Sequence, residues 1–212
     1  MFIVFEGMDG AGKSTQLRAL AARLAARGVD VVATREPGGS PTAEILRKIV
    51  VEGEVGSMDA DTEMLVFTAA RRDHVRHTIR PALERGALVL CDRFVDSTYA
   101  LQCAGGVDAE TIASLHTRFI GLDPDLVVFL MLDEEEALQR ATARGGAAAA
   151  EERFERKGIA FHRKVAENLR ARAALPGRVI VDGKGTIEEV AARIDAALAP
   201  HLAPFLDTTP AS

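Results

Sequence analysis

One segment near the start of the sequence, here called the phosphate loop, restricts the possible folds more than any other feature. It matches the pattern G-x-x-x-x-G-K-[ST], in the residues Gly7-Met8-Asp9-Gly10-Ala11-Gly12-Lys13-Ser14. The apolar run Phe2–Phe5 precedes it, and an amphipathic stretch over 13–27 follows it. A glycine-rich turn from a strand into a helix lets backbone N–H groups and the helix N-terminus surround phosphate oxygens. The segment therefore predicts a site for a nucleoside triphosphate, with Lys13 on its β- and γ-phosphates and Ser14 on Mg²⁺.

Short apolar runs alternate with longer amphipathic stretches along the rest of the chain. The predicted strands are Phe2–Phe5, Val29–Thr34, Ala87–Cys91, Leu126–Leu132 and Arg178–Val181. The predicted helices cover 13–27, 41–52, 61–85, 109–121, 134–144, 155–175 and 187–199, with N-caps at Asp61 and Thr186 and ends at Gly28 and Gly86. Because the strands are apolar throughout, we expect burial on both faces in a parallel sheet flanked by helices, which is an α/β fold.

Residues 144–157 depart from this alternation. They are rich in glycine and alanine at first and then dense in charge, which fits either a mobile loop or a plain solvated connection between helices. We expect one domain over 1–205 that contains this segment, with fraying from Pro200 onward and a disordered tail over 206–212.

The composition argues against several classes of protein. The 212 residues carry 26 Lys and Arg against 31 Asp and Glu, a net charge of −5, which disfavours binding to nucleic acid or anionic membrane through bulk charge. The longest apolar run, Leu126–Leu132, is far too short to span a membrane. Two cysteines and the lack of a secretory leader pattern predict free thiols and a cytoplasmic location. The only asparagine, Asn168, is followed by Leu169, so the N-K-x-D motif with which GTPases read guanine is absent, and small-molecule kinases and other ATPases remain.

Three further clusters follow predicted strands, where ligands collect in open α/β sheets. They are Thr34-Arg35-Glu36-Pro37-Gly38-Gly39, Phe67-Thr68-Ala69-Ala70-Arg71-Arg72 and Cys91-Asp92-Arg93-Phe94. Phe67 and Arg71 are four residues apart and share a helix face, so they can stack on a base and hydrogen-bond to it. Asp92 suits Mg²⁺-bound water, and Arg93 suits a phosphate. Each cluster also has a structural explanation: a strand–helix turn, a core phenylalanine beside a solvated basic run, and a surface ion pair.

Taken together, these motifs resemble those of the thymidylate kinases, the family of enzymes that phosphorylate dTMP. The resemblance covers about residues 2–199 and rests most on the Arg-Glu-Pro-Gly-Gly element together with the phosphate loop. It runs through Glu6-Gly7-x-Asp9-Gly10-x-Gly12-Lys13-Ser14, Arg35-Glu36-Pro37-Gly38-Gly39, Phe67-x-x-Ala70-Arg71, Asp92-Arg93-Phe94-x-x-Ser97, Ala100-x-Gln102, Leu138-x-Arg140 and Arg153-Phe154-Glu155.

The resemblance implies the fold of the P-loop nucleoside monophosphate kinases, with five parallel strands, flanking helices and a lid near 144–157. ATP would lie on Gly7, Met8, Asp9, Gly10, Ala11, Gly12, Lys13, Ser14, Thr15 and Arg140, and Mg²⁺ would lie near Ser14 and Asp92. The dTMP would contact Asp9, Arg35, Glu36, Pro37, Phe67, Arg71, Arg93, Ser97, Thr98, Leu101 and Gln102. Asp9 would hold the sugar 3′-hydroxyl, Phe67 would stack on thymine, Arg71 would hydrogen-bond to the base, and Arg93 would grip the 5′-phosphate.

The implied reaction is direct in-line transfer of the γ-phosphoryl group from ATP to dTMP, as a step of dTTP biosynthesis. The catalytic residues would be Lys13, Arg93, Asp9 and an arginine of the lid, since the variable positions of the phosphate loop contain no cation. Arg153 fits best, because Glu152-Arg153-Phe154-Glu155 resembles the Asp-Arg-x-Glu lid motif of the family. Arg156 and Arg144 are the alternatives.

Some alternatives stay open at this point. Leu101 stands where family members often have a tyrosine that crowds the sugar 2′ position, so the resemblance does not extend to this basis for deoxyribose selectivity. A kinase for another nucleotide or nucleoside, and an ATP-binding switch without phosphoryl transfer, are compatible with the phosphate loop. The resemblance implies a homodimer packed through the apolar helices over 41–52 and 61–85, although ordinary core burial also explains them.

Overall fold

The computed structural model describes residues 1–52, 57–133, 136, 137, 140 and 158–206, which form one parallel sheet with helices on both faces. The strands are β1 (Phe2–Glu6), β2 (Val31–Arg35), β3 (Leu88–Asp92), β4 (Leu126–Met131) and β5 (Arg178–Asp182). Their order is β2-β3-β1-β4-β5, and every neighbouring pair is parallel. The predicted α/β fold class and all five predicted strands are therefore confirmed.

The helices cover the two faces of this sheet. Within the described ranges they are α1 (Lys13–Ala25), α2 (Pro41–Glu52), α3 (Ala60–His74), α4 (Arg80–Glu84), α5 (Val95–Ala104), α6 (Ala109–Leu115), α7 (Ile159–Ala173) and α8 (Ile187–Leu206). A π-helical turn, Val75–Ile79, joins α3 to α4, and a second one, His116–Ile120, extends α6. No helix in these ranges is both long and apolar enough to span a membrane.

Side chains that alternate along each strand bury two apolar layers. On β1, Phe2 and Val4 join one layer with residues of α3 to α7, while Ile3 and Phe5 join the other layer with α1 and α8. Burial on both faces holds for β1, β3 and β4, which lie inside the sheet. It is wrong for β2 and β5, which are only partly buried because they form the two edges.

Helix ends follow local hydrogen bonding, and this corrects one predicted cap. Asp59, and not Asp61, caps α3, since its carboxylate accepts a hydrogen bond from the Thr62 N–H at 2.7 Å. The predicted cap at Thr186 is confirmed: its hydroxyl accepts from the Glu189 N–H, and the Glu189 carboxylate accepts from the Thr186 N–H.

Two helices differ from the sequence prediction. The helix α5 was absent from it, because its buried residues are mostly polar and hide the amphipathic pattern. The helix predicted to end at residue 199 continues to Leu206 through Pro200 and Pro204. Buried Leu198 and Leu202 hold this segment against the second apolar layer, which offsets the backbone hydrogen bonds that the prolines remove. The predicted lid over 144–157, most of the helix predicted over 134–144, and residues 207–212 lie outside the described part of the chain.

Candidate active site

The phosphate loop follows β1 and leads directly into α1. At Gly10, which has a φ of 87°, a Cβ atom would clash with the carbonyl oxygen of Ala137. Gly12 is the N-cap of α1 in a left-handed conformation, and a Cβ there would meet no atom within 4 Å. The loop thus encloses an open cradle at a helix N-terminus, where backbone N–H groups and the helix dipole favour phosphate. This geometry fits the triphosphate of a nucleotide.

Lys13 supplies the charge of this cradle. Its side chain is buried, and its Nζ donates to the carbonyl oxygen of Met8 at 2.8 Å. Burial lowers the pKa of Lys13 and the Arg93 charge lowers it further, which outweighs the opposite effect of Asp9 and Asp92. Two cations held close together in a partly desolvated site favour binding of a polyanion between them.

Ser14 and Asp92 meet where α1 begins and β3 ends. The Ser14 hydroxyl donates to Asp92 Oδ2, while the buried Asp92 Oδ1 has no hydrogen-bond partner within the described residues. Oxygen ligands of this kind fit Mg²⁺, which keeps several waters and is completed by substrate phosphates. The described ranges contain no cluster of three or more His, Cys, Asp or Glu side chains that could hold a metal.

Arg93 follows Asp92 in a left-handed conformation with a φ of 71°, which is rare for a residue other than glycine. Its Nη1 donates to Ser97 Oγ at 2.9 Å, its Nη2 donates to Asp9 Oδ1, and its backbone N–H donates to the Phe5 carbonyl oxygen. Burial lowers the pKa of Arg93, but the carboxylates of Asp9, Glu6 and Asp92 outweigh it and raise the pKa. The guanidinium is therefore a fixed positive charge beside the phosphate loop.

Glu6 is linked to Arg93 through Ser97, whose hydroxyl donates to Glu6 and accepts from Arg93. Glu6 was not among the predicted site residues. Its fully buried carboxylate accepts from the Phe94 N–H at 2.8 Å and from the N–H and hydroxyl of Ser97 at 3.1 and 2.7 Å. Burial raises the pKa of Glu6 to about 7, although the Arg93 charge and these hydrogen bonds act in the opposite direction. A charged residue at the end of an apolar strand is the signal that could have identified it.

A cavity beside the phosphate loop, here called the main cavity, brings ten of the eleven predicted acceptor residues together. They are Asp9, Glu36, Pro37, Phe67, Arg71, Arg93, Ser97, Thr98, Leu101 and Gln102. The main cavity is also lined by Arg47, Val51 and Phe94, which were not among the predicted acceptor residues. Arg35 lines a second cavity with Ser14 and Asp92, and its guanidinium donates to both carboxylate oxygens of Glu44.

Arg71 is held rigidly in the wall of the main cavity. Its Nε donates to Glu36 Oε2 at 2.6 Å, and its Nη2 donates to Thr98 Oγ1 at 2.9 Å. Its guanidinium carbon lies 5.0 Å from the ring centroid of Phe94. Phe67, one turn earlier on α3, lines the same cavity and packs against Val51. The expected placement of an aromatic ring and a guanidinium on one helix face is thus present.

Behind this wall lies a histidine that the sequence interpretation missed. His74 is fully buried, with Nδ1 3.0 Å from Glu36 Oε1 and Nε2 2.7 Å from Thr34 Oγ1. Both oxygens of Glu36 are therefore engaged within the protein, one by Arg71 and one by His74. Burial alone would raise the pKa of Glu36, but the Arg71 charge and the His74 hydrogen bond outweigh it and lower the pKa.

Arg140 is the other predicted nucleotide contact. Its guanidinium donates to the carbonyl oxygen of Gly183, just after β5, and to Glu136 Oε1 at 2.5 Å. The candidate lid arginines Arg144, Arg153 and Arg156 lie outside the described residues.

The sheet order, the cradle after β1 and the adjoining cavity at the ends of β1 and β3 define a P-loop phosphotransferase with the nucleoside monophosphate kinase fold. Comparison with protein families gives the narrower assignment. The model of the family described as thymidylate kinase matches residues 5–194, and the chain belongs to this family.

Individual relatives agree with this assignment. A thymidylate kinase of Caulobacter vibrioides is 51% identical over 197 residues, which are 91% of this chain and 93% of that protein. A thymidylate kinase of Nitrobacter winogradskyi is 50% identical over 201 residues, which are 93% of this chain and 87% of that protein. The solved structure of thymidylate kinase from Ehrlichia chaffeensis has a TM-score of 0.76 at 31% identity and covers 93% of this chain and 98% of its own.

Proposed function

We propose that this enzyme transfers the γ-phosphoryl group of ATP to dTMP, with Mg²⁺, and forms dTDP for dTTP synthesis. One observation carries the proposal: the ion pair between Asp9 and Arg93 joins the phosphate loop to the main cavity. Asp9 belongs to the loop and also lines the cavity, and its Oδ1 accepts from Arg93 Nη2. A donor on the loop and a nucleotide acceptor in the cavity would therefore direct their phosphates towards the same point.

The mechanism follows from charge and position, as expected for phosphoryl transfer. Lys13 binds the β- and γ-phosphates of ATP, and Arg93 orients the acceptor phosphate for in-line attack, so that no covalent enzyme intermediate is needed. Asp9 holds Arg93 and positions the sugar. Ser14 would hold Mg²⁺ and Asp92 would accept hydrogen bonds from its water, and the bound ion would supply positive charge that neutralises the phosphates.

A lid arginine completes this proposal. With no cation at the variable loop positions, one further positive charge is needed on the γ-phosphoryl group, and Arg153 is the proposed source, before Arg156 and Arg144. A transition-state arginine of this kind contributes about 10³–10⁵ in rate.

Assembly and location belong to the same proposal. Ile45 and Ile49 on α2 and Leu65 on α3 are 62%, 48% and 53% exposed, which supports a homodimer that covers these two packed helices. Light scattering of the wild type and of Ile49→Glu tests the dimer, since the variant should be monomeric.

The free thiols of Cys91 and Cys103 support a reducing, cytoplasmic environment.

The decisive experiment is a panel of nucleoside monophosphates assayed with ATP, with and without Mg²⁺, by release of ADP. We expect turnover of dTMP that is abolished by a metal chelator. Turnover of AMP, CMP or GMP but not dTMP would replace dTMP kinase by another nucleotide kinase. Tight ATP binding without turnover of any monophosphate would favour a nucleotide-dependent switch.

A further inference from the structure

Glu63 and Gln102 form a buried pair of polar side chains beside the main cavity. Each is only 1% exposed. Gln102 is on α5 and lines the main cavity, whereas Glu63 is in the first turn of α3. Gln102 Nε2 donates to Glu63 Oε1 at 2.8 Å. Burial of polar groups is costly unless hydrogen bonds compensate it, so this contact demands an explanation.

The contact fixes which end of the Gln102 amide faces away from Glu63. A carboxylate only accepts hydrogen bonds, so the NH₂ group of Gln102 must turn towards Glu63. The carbonyl oxygen Oε1 of Gln102 is thereby left pointing elsewhere.

That oxygen is buried and has no hydrogen-bond partner among the described residues. An unpaired buried acceptor is unfavourable, and a donor on a ligand in the cavity that Gln102 lines would satisfy it. On the same cavity, Arg71 offers guanidinium N–H donors beyond those bound by Glu36 and Thr98. The cavity therefore presents a fixed acceptor and a fixed donor.

A donor and an acceptor side by side distinguish between pyrimidine bases. Thymine and uracil carry a ring N–H next to a carbonyl, which complements Gln102 Oε1 and Arg71. Cytosine carries a ring nitrogen acceptor next to an amino group. Its ring lone pair would face the lone pairs of Gln102 Oε1, and its amino group would face the N–H donors of Arg71. Sites that hydrogen-bond a substrate reject analogues that leave their buried polar groups unpaired.

We propose that Glu63 is a positioning residue that fixes the Gln102 amide and thereby selects a base with a ring N–H over cytosine. The proposal rests on the proposed function, because it assumes a pyrimidine nucleotide in the main cavity. It concerns Glu63, which is not among the residues that line the main cavity and which acts on the base through Gln102.

The test is the ratio of the dissociation constants of dTMP and dCMP, measured by calorimetry without ATP. Glu63→Gln keeps the size of the side chain but can donate to Gln102 Oε1, so the Gln102 amide can turn its NH₂ group to the base. We expect this variant to bind dTMP less tightly and dCMP more tightly, with a change in the ratio on the order of tenfold or more. ATP binding should be unchanged.

Two further variants separate positioning from a merely structural role. Asp61→Asn removes the same charge from the same turn of α3 at an exposed position, and its ratio should equal that of the wild type. Glu63→Asp keeps the carboxylate and should restore most of the preference for dTMP. Thermal unfolding of all variants checks that they are folded.

An unchanged ratio in folded Glu63→Gln would overturn the positioning role even if the wild type phosphorylates dTMP efficiently. If the wild type binds dTMP in preference to dCMP but transfers no phosphate to dTMP, the proposed function is overturned and the positioning role of Glu63 is not. Equal effects of Glu63→Gln and Asp61→Asn would assign the change to the charge of the helix terminus, and would also overturn the positioning role.

Discussion

Arg71 and Glu36 form a buried ion pair, with Nε 2.6 Å from Oε2 and both side chains about 95% removed from solvent. The pair links α3 to the segment after β2, and His74 holds the second oxygen of the same carboxylate. Removal of one member of such a pair leaves the other charge buried and uncompensated, which is far more destabilising than loss of a surface pair.

We therefore expect Glu36→Ala to lower the free energy of unfolding by about 3 kcal/mol, measured by urea denaturation near neutral pH. The matched control is Asp30→Ala, since Asp30 pairs with the exposed Arg85 and its loss should cost less than about 1 kcal/mol. Equal losses in the two variants would contradict the prediction.

The pH dependence of the same pair has a defined sign. The pKa of Glu36 is lowered from an ordinary value of 4.5, so in this range the unfolded state binds more protons than the folded state. The stabilisation by Glu36 is present above about pH 4.5 and is lost as the pH falls through the lower folded pKa. Glu36→Gln should therefore show a weaker loss of stability in acid than the wild type.

For Glu6, we expect the contribution to the free energy of unfolding to have the opposite pH dependence. Its pKa is raised from 4.5 to about 7, so between these values the folded state holds a proton that the unfolded state has released. Its contribution is complete below about pH 4.5 and is lost as the pH rises through about 7, a total of roughly 3 kcal/mol. The difference in unfolding free energy between the wild type and Glu6→Gln should fall by this amount from about pH 5 to about pH 8. A constant difference over this range would show that Glu6 does not titrate there.

Steady-state kinetics test the proposed catalytic role of Arg153. Arg153→Ala should lower kcat by several orders of magnitude and leave the KM for dTMP nearly unchanged, because the side chain would act on the γ-phosphoryl group only in the transition state. Arg156→Ala and Arg144→Ala are the matched controls and should have much smaller effects. An unchanged kcat in Arg153→Ala, with a large loss in either control, would move the role to that arginine.

The parts of the fold that follow from apolar periodicity were accessible from the sequence. The strand Phe2–Glu6, the phosphate loop and the helix after it are local features, and each is fixed by residue types that few other structures tolerate. The helix Val95–Ala104 was not accessible in this way, because Asp96, Ser97, Thr98 and Gln102 are polar and yet buried.

The same reason separates the site residues that could be predicted from those that could not. Arg71 and Arg93 lie in recognisable motifs, so their neighbourhood in the main cavity was expected. Glu6, His74 and Glu63 are buried polar residues whose partners are distant in the chain, at separations of 88, 38 and 39 residues for their contacts with Phe94, Glu36 and Gln102. Such pairings depend on the sheet order, which no local pattern contains.

Leu101 gives the last prediction, which concerns the sugar of the acceptor. It lines the main cavity at the place in the sequence where a tyrosine is common in the family, and leucine fills less space there and offers no hydroxyl. Leu101→Tyr should raise the ratio of kcat/KM for dTMP to that for ribothymidine 5′-monophosphate, because the larger ring would collide with a 2′-hydroxyl. Tyr99→Phe is the control and should leave the ratio unchanged. The ring centroid of Tyr99 lies 4.0 Å from the guanidinium carbon of Arg172, and Tyr99 does not line the main cavity. If Leu101→Tyr also leaves the ratio unchanged in a folded, active enzyme, residue 101 does not contact the sugar, and selectivity for deoxyribose must come from the other residues of the main cavity.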